Sequence, residues 1–247
     1  FRSRPLMHRT FLFPLQTAAK TTDVYYMRFQ TSSSMNLVLS AVDPDTFRVE
    51  NDHEAALLWM YYGIMILMIF YNCFVFAVMR SPSYFYFIVH AVFLLIFTTG
   101  TSGIAYRYFW PDYPWWANVA IPFSLGLLAA ALLQFGRYFL KLPRMTPFFN
   151  RVYLLLIALN ILAGLSGLVL EYRYSIVATA GLAAGSVFVG AGVCLPYLAI
   201  FKGSREARIA ILAFLIFLGF TFLNILSVFG ILPSSRLTEF GYQFGSA

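Results

Sequence analysis

Charged side chains are scarce in this sequence. Asp, Glu, Lys and Arg make up 11% of the 247 residues, against 60% hydrophobic residues. Soluble globular domains carry about 25% charged residues, so the composition excludes an ordinary soluble domain and indicates a membrane protein. The net charge of +7 does not indicate nucleic-acid binding, because the basic residues are spread over the connections between apolar runs and form no single basic face.

Cysteine and histidine are also rare. The two cysteines, Cys73 and Cys194, each lie within an apolar run, where we interpret them as small packing residues. The three histidines, His8, His53 and His90, do not stand at the helical spacing that a zinc site requires. We therefore expect no metal, no cofactor and no catalytic residue. The chain is not expected to be an enzyme, and any enzymatic output domain would lie outside it.

Long apolar runs, in contrast, fill most of the chain. A helix that crosses a bilayer needs about 20 apolar residues, and we place six such spans at about 56–79, 84–106, 116–140, 152–170, 176–201 and 207–232. Asn51 or Asp52 is expected to cap the first helix, with Glu54 in its first turn. The predicted fold class is mainly α, a polytopic membrane helix bundle over residues 51–247.

Residues 1–50 show a different pattern. Hydrophobic residues alternate there with period two, which is typical of half-buried strands. Three strands alone would be marginally stable, so we predict that this region holds the last strands of a larger β-domain. The alternating positions are Phe11, Phe13 and Leu15, then Tyr25, Met27 and Phe29, then Met35, Leu37, Leu39 and Ala41.

The basic residues of the short connections predict the orientation. The segment Arg137 to Arg151 carries four basic residues and no acidic residue. Over all connections, one side of the predicted bundle has eight lysines and arginines and the other has three. Because basic residues in short loops stay on the cytoplasmic side, residues 1–50 are expected outside. Six spans would also return the C-terminal residues to the outside.

One outer connection, Tyr106 to Trp116, is rich in aromatic residues. Trp and Tyr favour the headgroup region, so an interface anchor is one interpretation. The alternative is a surface that couples the outer domain to the bundle, because two prolines stiffen the connection and polar side chains are present. The candidate coupling residues are Arg107, Trp110, Asp112, Trp115 and Trp116.

Polar residues within the spans are few. Pumps and transporters usually hold ionisable groups deep in the bilayer, but here only His90 can titrate. We interpret the set as interhelical hydrogen-bonding residues. The alternative is a channel or an uncoupled small-molecule transporter lined by the same residues, which are Asn72, His90, Asn160 and Asn224.

The fifth span is rich in small residues. Gly181 and Gly185 form a GxxxG motif, which allows close helix packing and predicts a central position in the bundle for this span. Pro122 in the third span and Pro196 in the fifth are expected sites of helix kinks.

Short motifs recur in a recognisable order. They are YYG at Tyr61–Gly63, YN at Tyr71–Asn72, SYFYF at Ser83–Phe87, SGIAYRYFWPD at Ser102–Asp112, RYFL at Arg137–Leu140, KGSREAR at Lys202–Arg208, GILP at Gly230–Pro233 and GYQFGSA at Gly241–Ala247. Their order and spacing resemble the bacterial seven-transmembrane receptors with diverse intracellular signalling modules, over nearly the whole chain.

The resemblance implies an extracellular jelly-roll-like β-sandwich that binds carbohydrate or another small ligand. It also implies seven helices that lead to a cytoplasmic output, such as a two-component histidine kinase, a GGDEF-type diguanylate cyclase or an adenylate cyclase. The chain is then expected to hold six spans of a likely seven and to stop before the seventh helix.

From these patterns we expect a multi-pass receptor region in the bacterial inner membrane. Its expected partners are an extracellular small ligand or a periplasmic protein, membrane lipid and a second copy of the chain. Nucleic acid is not expected as a partner.

Overall fold

The computed structural model describes residues 8, 12–15, 23–28, 39 and 41–228, and for residues 217, 218 and 220–228 it describes the backbone alone. These residues form α1 (Pro44–Met79), α2 (Pro82–Thr101), α3 (Ile104–Tyr108), α4 (Pro114–Phe139), α5 (Leu142–Met145), α6 (Pro147–Ser166), α7 (Tyr172–Val187), a π-helical segment (Phe188–Cys194), α8 (Leu195–Phe201) and α9 (Arg205–Val228).

Within the described residues, five helical stretches are long and apolar enough to cross a membrane. They are α1, α2, α4, α6 and the continuous stretch Tyr172–Phe201, which joins α7, the π segment and α8. The mainly α, polytopic architecture is therefore confirmed. The sixth predicted span, 207–232, is helical as α9 up to Val228, and its last four residues lie outside the described part.

The first helix begins earlier than the predicted cap at Asn51 or Asp52. The Asp43 carboxylate accepts a hydrogen bond from the Thr46 N–H at 3.0 Å, and Pro44 occupies the first turn. A capping carboxylate followed by proline is a strong start signal, so Asn51 and Asp52 lie inside the helix. The 36 residues of α1 span roughly 54 Å at 1.5 Å per residue, which exceeds the hydrocarbon core of a bilayer by more than 20 Å.

The predicted second span, 84–106, is interrupted before its end. Helix α2 stops at Thr101, and Gly103 adopts a left-handed conformation with φ of 77° before α3 begins. Glycine adopts this conformation without steric cost. The break turns the chain so that α3 lies against the N-terminal half of α1, where it contributes to the site described below.

The predicted strands in the first 50 residues are not found where the structure describes them. Residues 12–15 and 23–28 have no regular secondary structure, and most of the other predicted strand positions lie outside the described residues. Alternation predicts which face of a strand would be buried, but a strand also needs a neighbour to pair with, and the alternation does not supply one.

Helix α4 occupies the centre of the bundle. It packs against α2, α6 and α7, and half of its spanning part is buried, the largest share among the five spans. A Cβ atom added to Gly126 of α4 would lie 2.5 Å from the Asn160 carbonyl oxygen of α6 and 2.7 Å from the Cα atom of Gly164. The prediction that the fifth span is central was therefore wrong, because glycines on α4 and α6 allow the closest backbone approach.

The two prolines expected to kink helices have different surroundings. Pro122 lies buried inside the uninterrupted helix α4. Pro196 stands near the start of α8, immediately after the π segment, where the Leu195 N–H donates to the Gly190 carbonyl five residues earlier. The change of winding in the fifth span thus coincides with a proline that cannot donate a backbone hydrogen bond.

Candidate functional site

The N-terminal end of α1 is held by a residue from the N-terminal region. The His8 side chain is 8% exposed, and its Nε2 atom lies 2.7 Å from the Asn51 Oδ1 atom. The edge of its ring also packs on Phe47, with the ring centroids 5.4 Å apart. Since Phe47 and Asn51 are four residues apart on one face of a helix, His8 contacts two successive turns of α1.

A cavity of about 90 Å³ opens beside this contact, between α1 and α3. The edge of Trp59 from α1 meets the ring of Tyr108 from α3 at a centroid distance of 6.1 Å and forms part of the wall. The lining residues are His8, Asn51, Ala55, Leu58, Trp59, Ile104, Arg107 and Tyr108. The N-terminal residue, the first span and the break after α2 therefore meet at one place.

The structure divides the five predicted coupling residues between two places. Arg107 lines the cavity beside His8. The three tryptophans cover the start of α4, where Trp116 contacts Trp110 at 6.5 Å and Trp115 at 6.2 Å between ring centroids. Asp112 lies exposed in the turn before α4. Of the five, Arg107 is therefore the residue that lies beside His8, a described residue of the N-terminal region.

A second cavity, of about 280 Å³, lies between the start of α4 and the connection from α6 to α7. Trp115 forms one wall, and residues 167–172 form the other. The cavity is separate from the one beside His8, and the two share no lining residue.

The polar residues within the spans lie in different interfaces. The Asn72 amide donates to the Met68 carbonyl of its own helix at 2.8 Å. The His90 Nδ1 atom lies 2.9 Å from the Leu128 carbonyl oxygen, across the interface of α2 and α4. The Asn224 side chain lies outside the described part. Among the described side chains, Asn72, His90 and Asn160 line neither of the two cavities described above.

Asn160 forms the most buried polar contact between two spans. Its Nδ2 atom donates to the Leu156 carbonyl at 2.8 Å and, across to α7, to the Ser186 hydroxyl at 2.7 Å. Its Oδ1 atom is buried without a hydrogen-bond partner. On the same interface, the Thr179 hydroxyl of α7 donates to the Ala163 carbonyl of α6 at 3.3 Å.

The predicted packing glycines of α7 face away from α6. Gly181 and Gly185 are exposed, and a Cβ atom added to either would have no other atom within 4 Å. Among the described residues, no helix packs on this side of α7 at these two positions.

The basic connection at the opposite end of the bundle is tied to neighbouring helices. The Arg137 guanidinium donates to the Asn150 Oδ1 atom at 2.6 Å and to the Gln134 Oε1 atom at 2.8 Å. Lys141 forms an ion pair with Glu206 at 3.0 Å. The Glu206 backbone N–H, followed by Lys141 and Ser204, lowers the pKa of the Glu206 carboxyl to about 2.

The long apolar helices define a polytopic membrane protein, and comparison with family models identifies it further. The model described as "7TM diverse intracellular signalling" matches residues 54–247, and the model described as "7TMR-DISM extracellular 2" matches residues 1–43. The chain belongs to the family of seven-transmembrane receptors with diverse intracellular signalling modules. Neither the search of curated proteins nor the search of solved structures gave a match.

The predicted resemblance is therefore confirmed, and the chain is a multi-pass membrane receptor region with an extracellular domain. His8 lies within the part matched by the extracellular model and Asn51 adjoins the part matched by the membrane model. Sequence reasoning missed this contact because 43 residues separate its partners and neither belongs to a recognisable motif.

Proposed function

We propose that this chain is the signal-transducing region of a bacterial receptor, which relays binding at its extracellular domain to a cytoplasmic output domain outside the chain. The observation that carries the proposal is the contact between His8 and Asn51. It joins a residue of the extracellular match directly to the first span, so a displacement of the outer domain is transmitted to α1.

The relay works through a shift between two arrangements of the helices. A ligand changes such an equilibrium only if it binds one arrangement more tightly than the other. The contact beside His8 supplies the mechanical connection, and the packing of α1 on α2 passes the change to the bundle. One hydrogen bond and two edge-on ring contacts define this connection. The connection has room to adjust, because the cavity lined by Arg107 and Tyr108 lies beside it.

The remaining parts of the proposal follow from charge and family. The excess of basic residues in the connections at the Arg137 end supports a cytoplasmic position for that end in the inner membrane. A small extracellular ligand, such as a carbohydrate, or a periplasmic protein acts as the stimulus, and membrane lipid surrounds the bundle. The output is a kinase, GGDEF or cyclase domain, brought together by two copies of the receptor. The chain itself performs no catalysis.

The test uses the full-length receptor and a cellular reporter of its basal output. His8→Ala and Asn51→Ala each remove one side of the contact, and we expect either change to alter the basal output several-fold at unchanged membrane abundance. The double variant is expected to equal His8→Ala, because His8→Ala already removes the hydrogen bond that Asn51→Ala removes. His53→Ala, an exposed residue of the same helix, is the matched control and should leave the output unchanged. If His8→Ala, Asn51→Ala and the double variant all give the output of the unmodified receptor, relay through this contact is rejected.

A further inference from the structure

The fifth span changes its winding halfway through the bundle. The π segment Phe188–Cys194 separates α7 from α8. One π turn within an α-helix holds about one residue more than α winding would hold, and such turns are frequent at functional sites. Pro196 follows directly, and in regular α winding its ring would collide with the carbonyl group four residues earlier. The residues before Pro196 are therefore well suited to π winding.

Helix α7 carries two different faces that lie one residue apart. The hydroxyl face consists of Ser175, Thr179 and Ser186, which are all buried. The apolar face consists of the residues that follow each of them, Ile176, Ala180 and Val187. The hydroxyl face now packs on α6, with Ser186 against Asn160 and Thr179 against the Ala163 carbonyl. A turn of the helix by one residue would exchange the two faces.

Among the described residues, no atom obstructs such a turn at two positions on the other side of α7. A Cβ atom added to Gly181 or Gly185 would have no atom of the described residues within 4 Å. Within the π segment, Gly190 lies against Tyr153 of α6, and a Cβ atom there would stand 3.2 Å from the Tyr153 hydroxyl. Glycine at this point lets the backbone pass the tyrosine.

Building on the proposed function, we propose that the segment Phe188–Cys194 is a register switch that turns α7 by one residue against α6. Conversion of the segment to α winding, with α8 held in place, adds about 100°, the rotation of one residue in an α-helix. Each residue of α7 then moves to the position of its N-terminal neighbour. Val187 replaces Ser186 beside Asn160, and Ala180 replaces Thr179 beside Ala163.

The turned register loses hydrogen bonds between helices but keeps those within α7. The turn breaks the contacts of Asn160 with Ser186 and of Thr179 with Ala163. The hydroxyls of Ser175, Thr179 and Ser186 keep their bonds to the carbonyls of Tyr172, Ser175 and Leu182, respectively. The Asn160 Oδ1 atom is unpaired already, so the present register does not satisfy this interface completely. Two states of similar free energy are the requirement for a switch that a ligand can bias.

Disulfide trapping in lipid nanodiscs tests the register directly. In a background with Cys73→Ser and Cys194→Ala, the chain receives Ala163→Cys together with Thr179→Cys, Ala180→Cys or Ala178→Cys. Under mild oxidation we expect the 163–179 pair to link in the present register and the 163–180 pair to link in the turned register. The 163–178 pair is the matched control, because the proposed rotation moves residue 178 further from α6.

Deletion of Gly192 provides a second test of the register switch. Removing one residue from the π segment restores α winding while α7 keeps its present orientation, so this variant cannot turn. We expect the 163–179 link to persist in the deletion variant and the 163–180 link to fall at least tenfold.

Three results would overturn the proposal. One is absence of the 163–180 link while the 163–179 pair links. Another is equal linking at 178 and 180, which would show unspecific motion. The third is an unchanged 163–180 link after the deletion. If the deletion variant does not fold, the comparison of 178 with 180 in the undeleted chain still decides. The assay reports helix register without any output domain, so its result is independent of the His8 test.

Discussion

At the scale of single residues, the bundle depends on a few positions that allow backbones to touch. Gly126 and Gly164 are neutral in a hydropathy pattern, yet they set the distance between α4 and α6. The sequence drew attention instead to Gly181 and Gly185, which form a more obvious motif. A GxxxG motif allows close packing but does not identify the helix that packs against it. The identity of that helix depends on the surfaces of all the other helices.

Replacing Gly126 by alanine should destabilise the protein. The added Cβ atom would lie 2.5 Å from the Asn160 carbonyl oxygen, a backbone atom that cannot move aside alone. Overpacking of this kind costs about 1–3 kcal/mol, and we expect a lower midpoint of thermal unfolding in detergent.

Gly181→Ala is the control for this change, because the position is exposed and a Cβ atom meets nothing within 4 Å. Alanine favours helix by about 0.5–1 kcal/mol over glycine, so the control should unfold at the same temperature or slightly higher. Equal destabilisation by both variants would contradict the close approach of α4 and α6.

At the scale of helices, the spans themselves could be predicted well from apolar length, and their ends less well. The ends depend on short signals. Pro82, Pro114 and Pro147 begin three of the helices. Proline fits the first turn because an N–H group at that position would have no intrahelical acceptor. The start of α1 was misplaced because the hydrophobic run begins after residue 54, whereas the helix begins where Asp43 caps it. Hydropathy measures the membrane part of a helix and not its full length.

The Asp43 cap should control the order of the first turns of α1. Asp43→Ala removes the acceptor for the Thr46 N–H, and loss of such a cap costs about 0.5–2 kcal/mol. We expect faster amide hydrogen exchange in residues 44–50, measured by mass spectrometry in nanodiscs.

Asp52→Ala, at an exposed position inside α1, is the control and should leave this exchange unchanged. Equal exchange in the Asp43 variant and the unmodified protein would mean that contacts other than the cap hold the helix start.

At the scale of the whole molecule, the presence of several membrane-spanning helices could be predicted from the sequence, but their neighbours could not. Apolar length and the placement of Lys and Arg are local properties that a pattern records. The central position of α4, the contact of His8 with Asn51 and the π segment beside Pro196 each depend on groups far apart in the chain or on winding that no periodicity marks. The proposed relay depends on the contact of His8 with Asn51, and the proposed register switch depends on the π segment.

The predicted direction can be tested by labelling in whole cells. In a Cys73→Ser background, Tyr108→Cys is expected to react with a membrane-impermeant maleimide added outside, because Tyr108 is 55% exposed near the outer cavity. Arg144→Cys, exposed in the basic connection at the opposite end, is expected to react only after the cells are permeabilised. The reverse pattern would overturn the orientation inferred from the basic residues.

The length of α1 has one more consequence. The helix contains no proline after its first turn, so no proline kink is expected along it. Its 36 residues give it a length of roughly 54 Å, over which it would move as one rigid rod. A tilt of about 10° around the middle of such a rod moves each end sideways by about 5 Å, as the geometry of a straight helix of this length requires. A small displacement of the extracellular domain near Asn51 would therefore shift Met79 sideways by about half the width of a helix. No bond along α1 would have to break.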